Sequence, residues 1–471
     1  MNERGEIVKT TLWTALFVFF VMGLAGPASA MTAEEKAKKD LESLGHAIYV
    51  DMDLSLNANQ SCQTCHHPNA GFADTENRIS PEMFPVSDGS DPMLFGNRNA
   101  PTASYSGFSP IFHYDEVEGL FVGGLFWDGR ATGRMDFSDT GGLGDGPTGD
   151  PLADQAKGPF GNPVEMALTF ENTGFSTEEA VVQRIQTSEY ADKFLEVFGP
   201  NAFANIGVAY NNAAIAIAAF ERSDKLDQFK SKFDKFVEEQ AGDVSLFGVD
   251  VEIFEIDGDE IEFRKYVGPP AGFKSKALSY DEADGLAIFN SDSYTQMFGD
   301  APAGQNGAMC YLCHLTENHV VEENDPNRPF NGPEPGEYNP LFTDFTYDNL
   351  GIPENPRIAE LAGPQSADLG LGGQEAQLIA AFGVVYDPVN ENGKFKVSTL
   401  RNLSRTAPYG HNGFFATIYD IVHFYNTRDV VGEGWPEPEV PETVNTDELG
   451  NLGLTLAQEE KLVMFMETLT D

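Results

Sequence analysis

Cys62-Gln63-Thr64-Cys65-His66 sets two thiols three positions apart and an imidazole directly after the second. Thiols at that spacing can each add to one vinyl group of a haem. The histidine then lies under the macrocycle, where its ring can bind the iron. This Cys-x-x-Cys-His spelling is the attachment signal of c-type haem. It recurs as Cys310-Tyr311-Leu312-Cys313-His314, and the two copies use all four cysteines of the chain. Two Cys-x-x-Cys pairs are also the ligand set of one structural zinc, or of two redox dithiols. Neither alternative accounts for a histidine after both pairs.

Each motif needs a helix to deliver it. Residues 32–50 are rich in Ala, Glu and Lys, with Leu41, Leu44 and Ile48 as an apolar stripe, and lead into the first motif. A second helix is expected over 280–290, ahead of the second motif. Between them the pattern predicts helices over 177–198 and 206–222. Alternating apolar and acidic residues over 247–267, around Asp257-Gly258-Asp259, predict a β-hairpin. Helices are also expected over 417–425 and 455–469. Residues 68–92, 133–150 and 322–340 read as loops. The expected fold is mainly α: two cytochrome-c-like haem domains with long loops and a small β-hairpin insertion, over 31–204 and 205–471.

Residues 11–26 form an apolar run preceded by Arg4 and Lys9 and followed by Ala28-Ser29-Ala30, so 1–30 read as a secretory signal peptide cleaved after Ala30. An uncleaved anchor is the other reading, but the run is near the short limit for a spanning helix. No later segment is apolar enough to span a bilayer. Export to the periplasm agrees with c-type haem attachment, which takes place outside the bacterial cytoplasm. The net charge is −45, from 74 acidic and 29 basic residues. That field argues against nucleic acid and anionic membranes. Its acidic residues are scattered, as on a well-solvated surface, although such a field also steers basic proteins.

Read in order, the motifs form a series. Phe126-Trp127-Asp128-Gly129-Arg130-Ala131 follows the first haem motif, then Gln155-Ala156-x-x-Pro159 and Asn162-Pro163-x-Glu165-Met166. After the second haem motif comes Thr406-Ala407-Pro408-Tyr409-x-His411-Asn412-Gly413. This series resembles the bacterial di-haem cytochrome c peroxidases and their MauG-type relatives, from about Leu44 to the end. The resemblance implies hydrogen peroxide as substrate, a peroxidatic haem on His66 and an electron-transfer haem on His314. It implies that Glu165 is the acid/base residue above the peroxidatic iron, a task a carboxylate can perform. Gln155 and Pro159 match distal-pocket positions. Trp127 matches the tryptophan between the haems, and without the family it would read as a core aromatic. Asn99, Thr406 and Pro408 match an inter-haem calcium site of oxygen ligands. His411 matches a histidine near the second haem, with a hydrogen-bonding role and ligation both open.

Two departures decide the subtype. Many of these peroxidases carry a histidine about twenty residues after the first motif that blocks the peroxidatic iron. Here Asp88, Gly89 and Ser90 stand there, with no histidine between His67 and His113. His67 adjoins the proximal ligand, and His113 lies in a segment that looks inserted. The peroxidatic iron is therefore expected five-coordinate or water-bound. At the position of the axial methionine of the better-known peroxidases stands Tyr425, as in the MauG type. A packed helix tyrosine is the plainer reading, since Ile418, Ile421, Val422 and Tyr425 share a face. A phenolate ligand would lower the haem potential that methionine raises. Residues 306–309 hold no tryptophan, unlike the MauG enzyme that matures a tryptophan-derived cofactor, so its protein substrate does not carry over. The expectation is a periplasmic MauG-type peroxidase whose two haems store oxidising equivalents and draw electrons from a protein substrate or small donor. The alternatives are a peroxide-detoxifying cytochrome c peroxidase and a non-catalytic electron-transfer cytochrome.

Overall fold

The computed structural model describes residues 31–135, 148–256, 259–299, 304–374 and 388–471. The signal peptide expected at 1–30 lies outside these, as do 136–147 of the expected surface loop and the hairpin turn at 257–258. Among the described residues the fold is mainly helical, with four two-stranded antiparallel sheets. No described helix is long and apolar enough to cross a membrane.

Each half is organised around a helix crossing that needs a glycine. Thr32 and Glu35 cap the helix Ala33–Tyr49 reciprocally, and its Leu44 and Ile48 are buried. It crosses the helix Ile206–Glu221 so closely that a Cβ on Gly45 would lie 1.7 Å from the Ala216 carbonyl oxygen. The second half repeats the device. Ser279 and Glu282 cap Tyr280–Phe289, which crosses Leu456–Glu467 where a Cβ on Gly285 would lie 2.1 Å from the Lys461 carbonyl oxygen. The helix ahead of each haem motif is thus locked to a helix that follows it in the chain.

The first apolar core runs from Leu44 to Leu226 and includes Ala209, Ala213 and Ile217 of the helix Ile206–Glu221. The second begins at Phe233 and ends at Leu469. The break between these cores falls between Leu226 and Phe233, since Ile206–Glu221 closes the first crossing. The helix expected over 177–198 is two, Thr177–Thr187 and Ala191–Phe198: Ser188 is extended (ψ 163°) and its hydroxyl donates to the Ile185 carbonyl at 2.8 Å. An unforeseen helix, Pro151–Gly161, starts where Asp150 caps the Leu152 N–H and Pro151 occupies the first turn. Asp150 is held by both guanidinium nitrogens of Arg222, at 2.6 and 2.7 Å. The hairpin Val249–Ile256/Asp259–Tyr266 forms as expected, with Phe254 facing Ile261 and Val251 facing Arg264. His113 lies on the strand His113–Asp115 and bonds through Nδ1 to the Ile111 carbonyl at 2.8 Å.

Arg401 ties the halves together. It is 1% exposed and pairs with both Asp234 oxygens at 2.9 and 3.1 Å, while its guanidinium covers the rings of Phe229 and Tyr105. Burial alone would raise the Asp234 carboxyl, but Arg401 overrides it and holds the group below its ordinary value. The Tyr105 hydroxyl in turn donates to the Asp471 carboxylate.

Gly45→Ala should destabilise the folded protein. Helix propensity favours alanine by about 1 kcal/mol, whereas overpacking costs ~1–3 kcal/mol, and here the clash meets backbone rather than a side chain that can swing away. Thermal unfolding of the haem-loaded protein checks this: the midpoint should fall for Gly45→Ala and Gly285→Ala, and stay put for Gly336→Ala, whose Cβ would come no nearer than 4.0 Å to any atom.

Candidate functional site

At the first motif, Cys62–Cys65 is a single helical turn, and the Thr64 N–H and hydroxyl interlock with Ser61 at its start. The His66 N–H donates to the Cys62 carbonyl at 2.9 Å, and the Tyr49 hydroxyl donates to the His66 carbonyl at 2.7 Å. The His66 ring donates from Nδ1 to the Phe72 carbonyl at 3.2 Å, with the Pro101 carbonyl near the same ring. At the second motif, His314 Nδ1 donates to the Phe342 carbonyl at 2.8 Å. Both acceptors come from residues in the left-handed region, Phe72 at φ 61° and Phe342 at φ 55°. A carbonyl partner fixes the tautomer, so each ring offers Nε2 as its metal-binding nitrogen. Burial pushes the His314 imidazole down to about 4, which keeps it neutral and ligand-competent.

The acid/base candidate sits beside the first motif. Glu165 lies in a turn after Pro151–Gly161, built by Asn162: its Oδ1 accepts the Val164 N–H at 2.9 Å and its Nδ2 donates to Glu165 Oε1 at 2.8 Å. The carboxylate is near enough to Cys62 and Cys65 for its charge to act on both thiols. Burial raises the Glu165 carboxyl, and the charge of Arg130 partly offsets this. Gln155 and Pro159 are four residues apart on Pro151–Gly161, hence on one face of it. The Pro159 carbonyl accepts the Met166 N–H at 3.2 Å, which binds this helix to the Glu165 turn.

The segment that would carry a blocking histidine is pinned to the same turn. The Ser90 N–H donates to the Glu165 carbonyl at 2.7 Å and to that of Val164 at 3.1 Å. A Cβ on Gly89 would lie 1.9 Å from the Val164 carbonyl oxygen, so only glycine fits. Gln60 donates to the Gly89 carbonyl at 3.1 Å. Residues 88–90 are a backbone latch over the Glu165 turn, and they bring no imidazole or thioether.

At the second motif, Cys310, Cys313 and His314 line a cavity of about 1350 Å³, solvent mouth included, which a macrocycle fits. Tyr425 lies on the helix Ile418–Thr427, and it and His314 line both this cavity and a smaller apolar one beside it. Met309 lines only the first and Met466 only the second. Burial pushes the Tyr425 phenol well above its ordinary value.

Trp127, Asn99, Thr406, Pro408 and His411 line the same large cavity. The Trp127 indole N–H donates to the Asn99 carbonyl at 2.8 Å, and the Asn99 N–H donates to the His411 carbonyl at 2.7 Å. Asn99 Nδ2 donates to the Pro85 carbonyl at 3.1 Å, which leaves its Oδ1 as a free oxygen donor. No described backbone N–H donates to the carbonyls of Thr406 or Pro408. Hard oxygen donors of this kind suit calcium. The His411 ring stacks on Phe395 with centroids 3.6 Å apart, and its Nε2 bonds Glu439 at 3.2 Å. Its other ring nitrogen, Nδ1, is buried and has no hydrogen-bond partner among the described residues.

Several groups here escaped sequence reasoning. The acceptor carbonyls of Phe72 and Phe342 stand at different distances from their histidines, so no motif announces them. Arg98 grips Asp368 with two nitrogens (2.6 and 2.8 Å) and Asp128 at 2.7 Å, while Arg130 pairs with Asp128 and covers Phe126 at 3.7 Å. The Arg and Asp of the Trp-Asp-Gly-Arg run were a visible signal for that cluster. Asp348 and Glu448 stand beside Cys313, bridged by Asn445 at 2.7 and 2.8 Å.

Residues 39–242 match the family described as di-haem cytochrome c peroxidase. The methylamine utilization protein MauG of Paracoccus denitrificans is 31% identical over 457 residues, covering 94% of this chain and 92% of that protein. The cytochrome c551 peroxidase of Nitrosomonas europaea is 24% identical over 98% of this chain and 92% of its own length. The diheme peroxidase BthA from Burkholderia thailandensis has the same fold, with a TM-score of 0.64 at 25% identity over 92% of this chain and 86% of that one. The chain belongs to the di-haem cytochrome c peroxidase and MauG family, and is an oxidoreductase of that peroxide-using class, with two haems as its cofactors.

Proposed function

We propose that the chain is a periplasmic di-haem peroxidase of the MauG type, in which hydrogen peroxide reacts at the His66 haem and a protein partner supplies the electrons. Tyr425 carries this reading: a phenol shares both cavities with His314 at the place where a thioether would otherwise cap the second haem. When bound, the haem irons supply the site of O–O cleavage and the store of oxidising equivalents. The chain's own residues then divide the remaining work. Glu165 takes a proton from the incoming peroxide and delivers it to the departing oxygen. Asn162 orients that carboxylate, and Gln155 and Pro159 shape the space beside it. The latch at 88–90 would offer neither imidazole nor thioether to a haem held by His66. Tyr425 would hold the second iron through its phenol oxygen, and the charge of the ion would favour loss of the phenolic proton to solvent. Trp127, hung from the Asn99 carbonyl, stands between the sites as the electronic bridge. Asn99 Oδ1 and the carbonyls of Thr406 and Pro408 hold one calcium ion. Export on the leader at 1–30 places the enzyme where c-type haem is attached.

Glu165→Gln should slow the reaction with peroxide by about 10²–10⁴-fold, read by rapid mixing at the haem bands; an unchanged rate refutes the acid/base role. As a base, Glu165 must begin ionised, and burial raises its carboxyl, so the ionised fraction appears at higher pH than for a free glutamate. The rate should therefore climb as pH rises through a midpoint above about 4.3, and this limb should vanish in Glu165→Gln. Tyr425→His should change the paramagnetic resonance and optical spectrum of the second haem alone; an unaltered spectrum removes tyrosine from the ligand set. Sluggish steady-state turnover with a small reduced cytochrome is expected, and fast turnover would make the enzyme a detoxifying peroxidase instead.

A further inference from the structure

We propose that Tyr311, held between the two haem-binding cysteines of the second motif, is a redox relay that carries electrons from a protein donor to that haem, with Asp292 taking and returning its phenolic proton. The relay rests on the reading above, in which peroxide oxidises the haems. The residues before the second motif, 306–309, hold no tryptophan, so the aromatic ring nearest the attachment cysteines in sequence is inside the motif itself.

Cys310, Cys313 and His314 line the large cavity, whereas the half-buried side chain of Tyr311 turns away from it. Its hydroxyl donates to Asp292 Oδ1 at 2.9 Å. Asp292 is 3% exposed, and its other oxygen accepts the Arg264 N–H at 2.7 Å, so the acceptor is fixed in place. Burial also lifts its carboxyl above the ordinary value, which favours receipt of a proton. A phenol that loses an electron becomes a strong acid, and oxidation is easy only where a base already stands at hydrogen-bond distance. The Arg264 guanidinium lies over the Tyr311 ring at 4.0 Å. A cation there opposes a positively charged ring, so the electron must leave together with the proton.

The step balances. Tyr311 gives one electron to the oxidised haem tethered at Cys310 and Cys313. Its O–H bond breaks and the proton passes to Asp292, leaving a neutral phenoxyl radical and a carboxylic acid. One electron from the donor protein then reduces the radical, which recovers its proton from Asp292. One electron has entered and one has left, with no net change in protons.

Tyr311→Phe keeps the ring and its packing and removes only the O–H, and Asp292→Asn removes the base. The haem-loaded enzyme is mixed with hydrogen peroxide without donor and freeze-quenched for paramagnetic resonance. Wild type should show a narrow organic radical that sharpens when the protein is grown on ring-deuterated tyrosine, and Tyr311→Phe should lose it. With a basic reduced cytochrome c as the probe donor, reduction of the peroxide-oxidised state should be at least about tenfold slower in both variants, a barrier increase of about 1.4 kcal/mol. Their resting spectra should match wild type, which separates loss of the relay from misfolding. A deuterium-sensitive radical that survives in Tyr311→Phe, or a wild-type rate of reduction in it, overturns the relay. If wild type itself shows no oxidised haem after peroxide, the proposed function falls and takes the relay with it.

Discussion

One contact carries both halves: a histidine ring held through Nδ1 by the carbonyl of a phenylalanine in the left-handed conformation. A left-handed turn at a residue with a Cβ costs about 1–2 kcal/mol, and nature would place glycine there if only the turn mattered. Here the phenylalanine side chains are needed as walls, Phe72 in the first core and Phe342 in the second. The strain is offset by packing and by a hydrogen bond worth roughly 0.5–1.5 kcal/mol. What it secures is orientation, because losing such an outer partner typically weakens a metal site by about 10–100-fold. The glycine crossings at Gly45 and Gly285 serve the same end, since they set how far each motif stands from the core that must close over a macrocycle.

On that shared plan the two sites differ in what faces the histidine. Beside the first stand a carboxylate and a backbone latch. Across from the second stands a phenol on the helix Ile418–Thr427. The difference arises from small local choices. Gly89 lets residues 88–90 lie flat on the Val164 and Glu165 carbonyls, a path any side chain at that position would block. With the loop pressed down and its hydrogen bonds spent on Glu165 and Gln60, it brings no ligand to the first iron. On the proposed reading, proton handling would fall to the first site and electron storage to the second.

Much of this was legible in the chain. The Cys-x-x-Cys-His spelling pointed to two haems, the stripe of Leu41, Leu44 and Ile48 marked the helix before the first motif, and the alternation over 247–267 marked the hairpin. Three things were not legible, each for a physical reason. The helix Pro151–Gly161 contains Gly158 and Pro159, which read as a break; Pro159 has no N–H to offer the Gln155 carbonyl, and the helix ends two residues later. The break at Ser188 follows from a serine hydroxyl competing for the Ile185 carbonyl, an interaction that periodicity does not register. The membership of Ile206–Glu221 in the first core depends on a long-range crossing at Gly45, and a one-dimensional pattern places that helix equally well on either side of a boundary. For the site, order in the series singled out Glu165, Tyr425 and Trp127 as candidates, while the carbonyls of Phe72 and Phe342 have no side-chain signature at all.

The charges beside Trp127 are paired off against one another. Asp128 follows the indole in sequence and is 3% exposed. Left alone, such a carboxylate would act strongly on its neighbours: at ~10 Å and an effective dielectric of ~20 a single charge is worth about 1.7 kcal/mol. It is not left alone. Arg98 and Arg130 both bind it, and Asp368 balances the second guanidinium, so that two cations and two anions sum to zero in the space between the sites. Three further carboxylates, Asp348, Glu439 and Glu448, line the same cavity as Trp127, so the ion pairs neutralise only the part beside the indole. On the proposed reading these carboxylates would lower the potential of the second haem, in the same direction as a phenolate ligand.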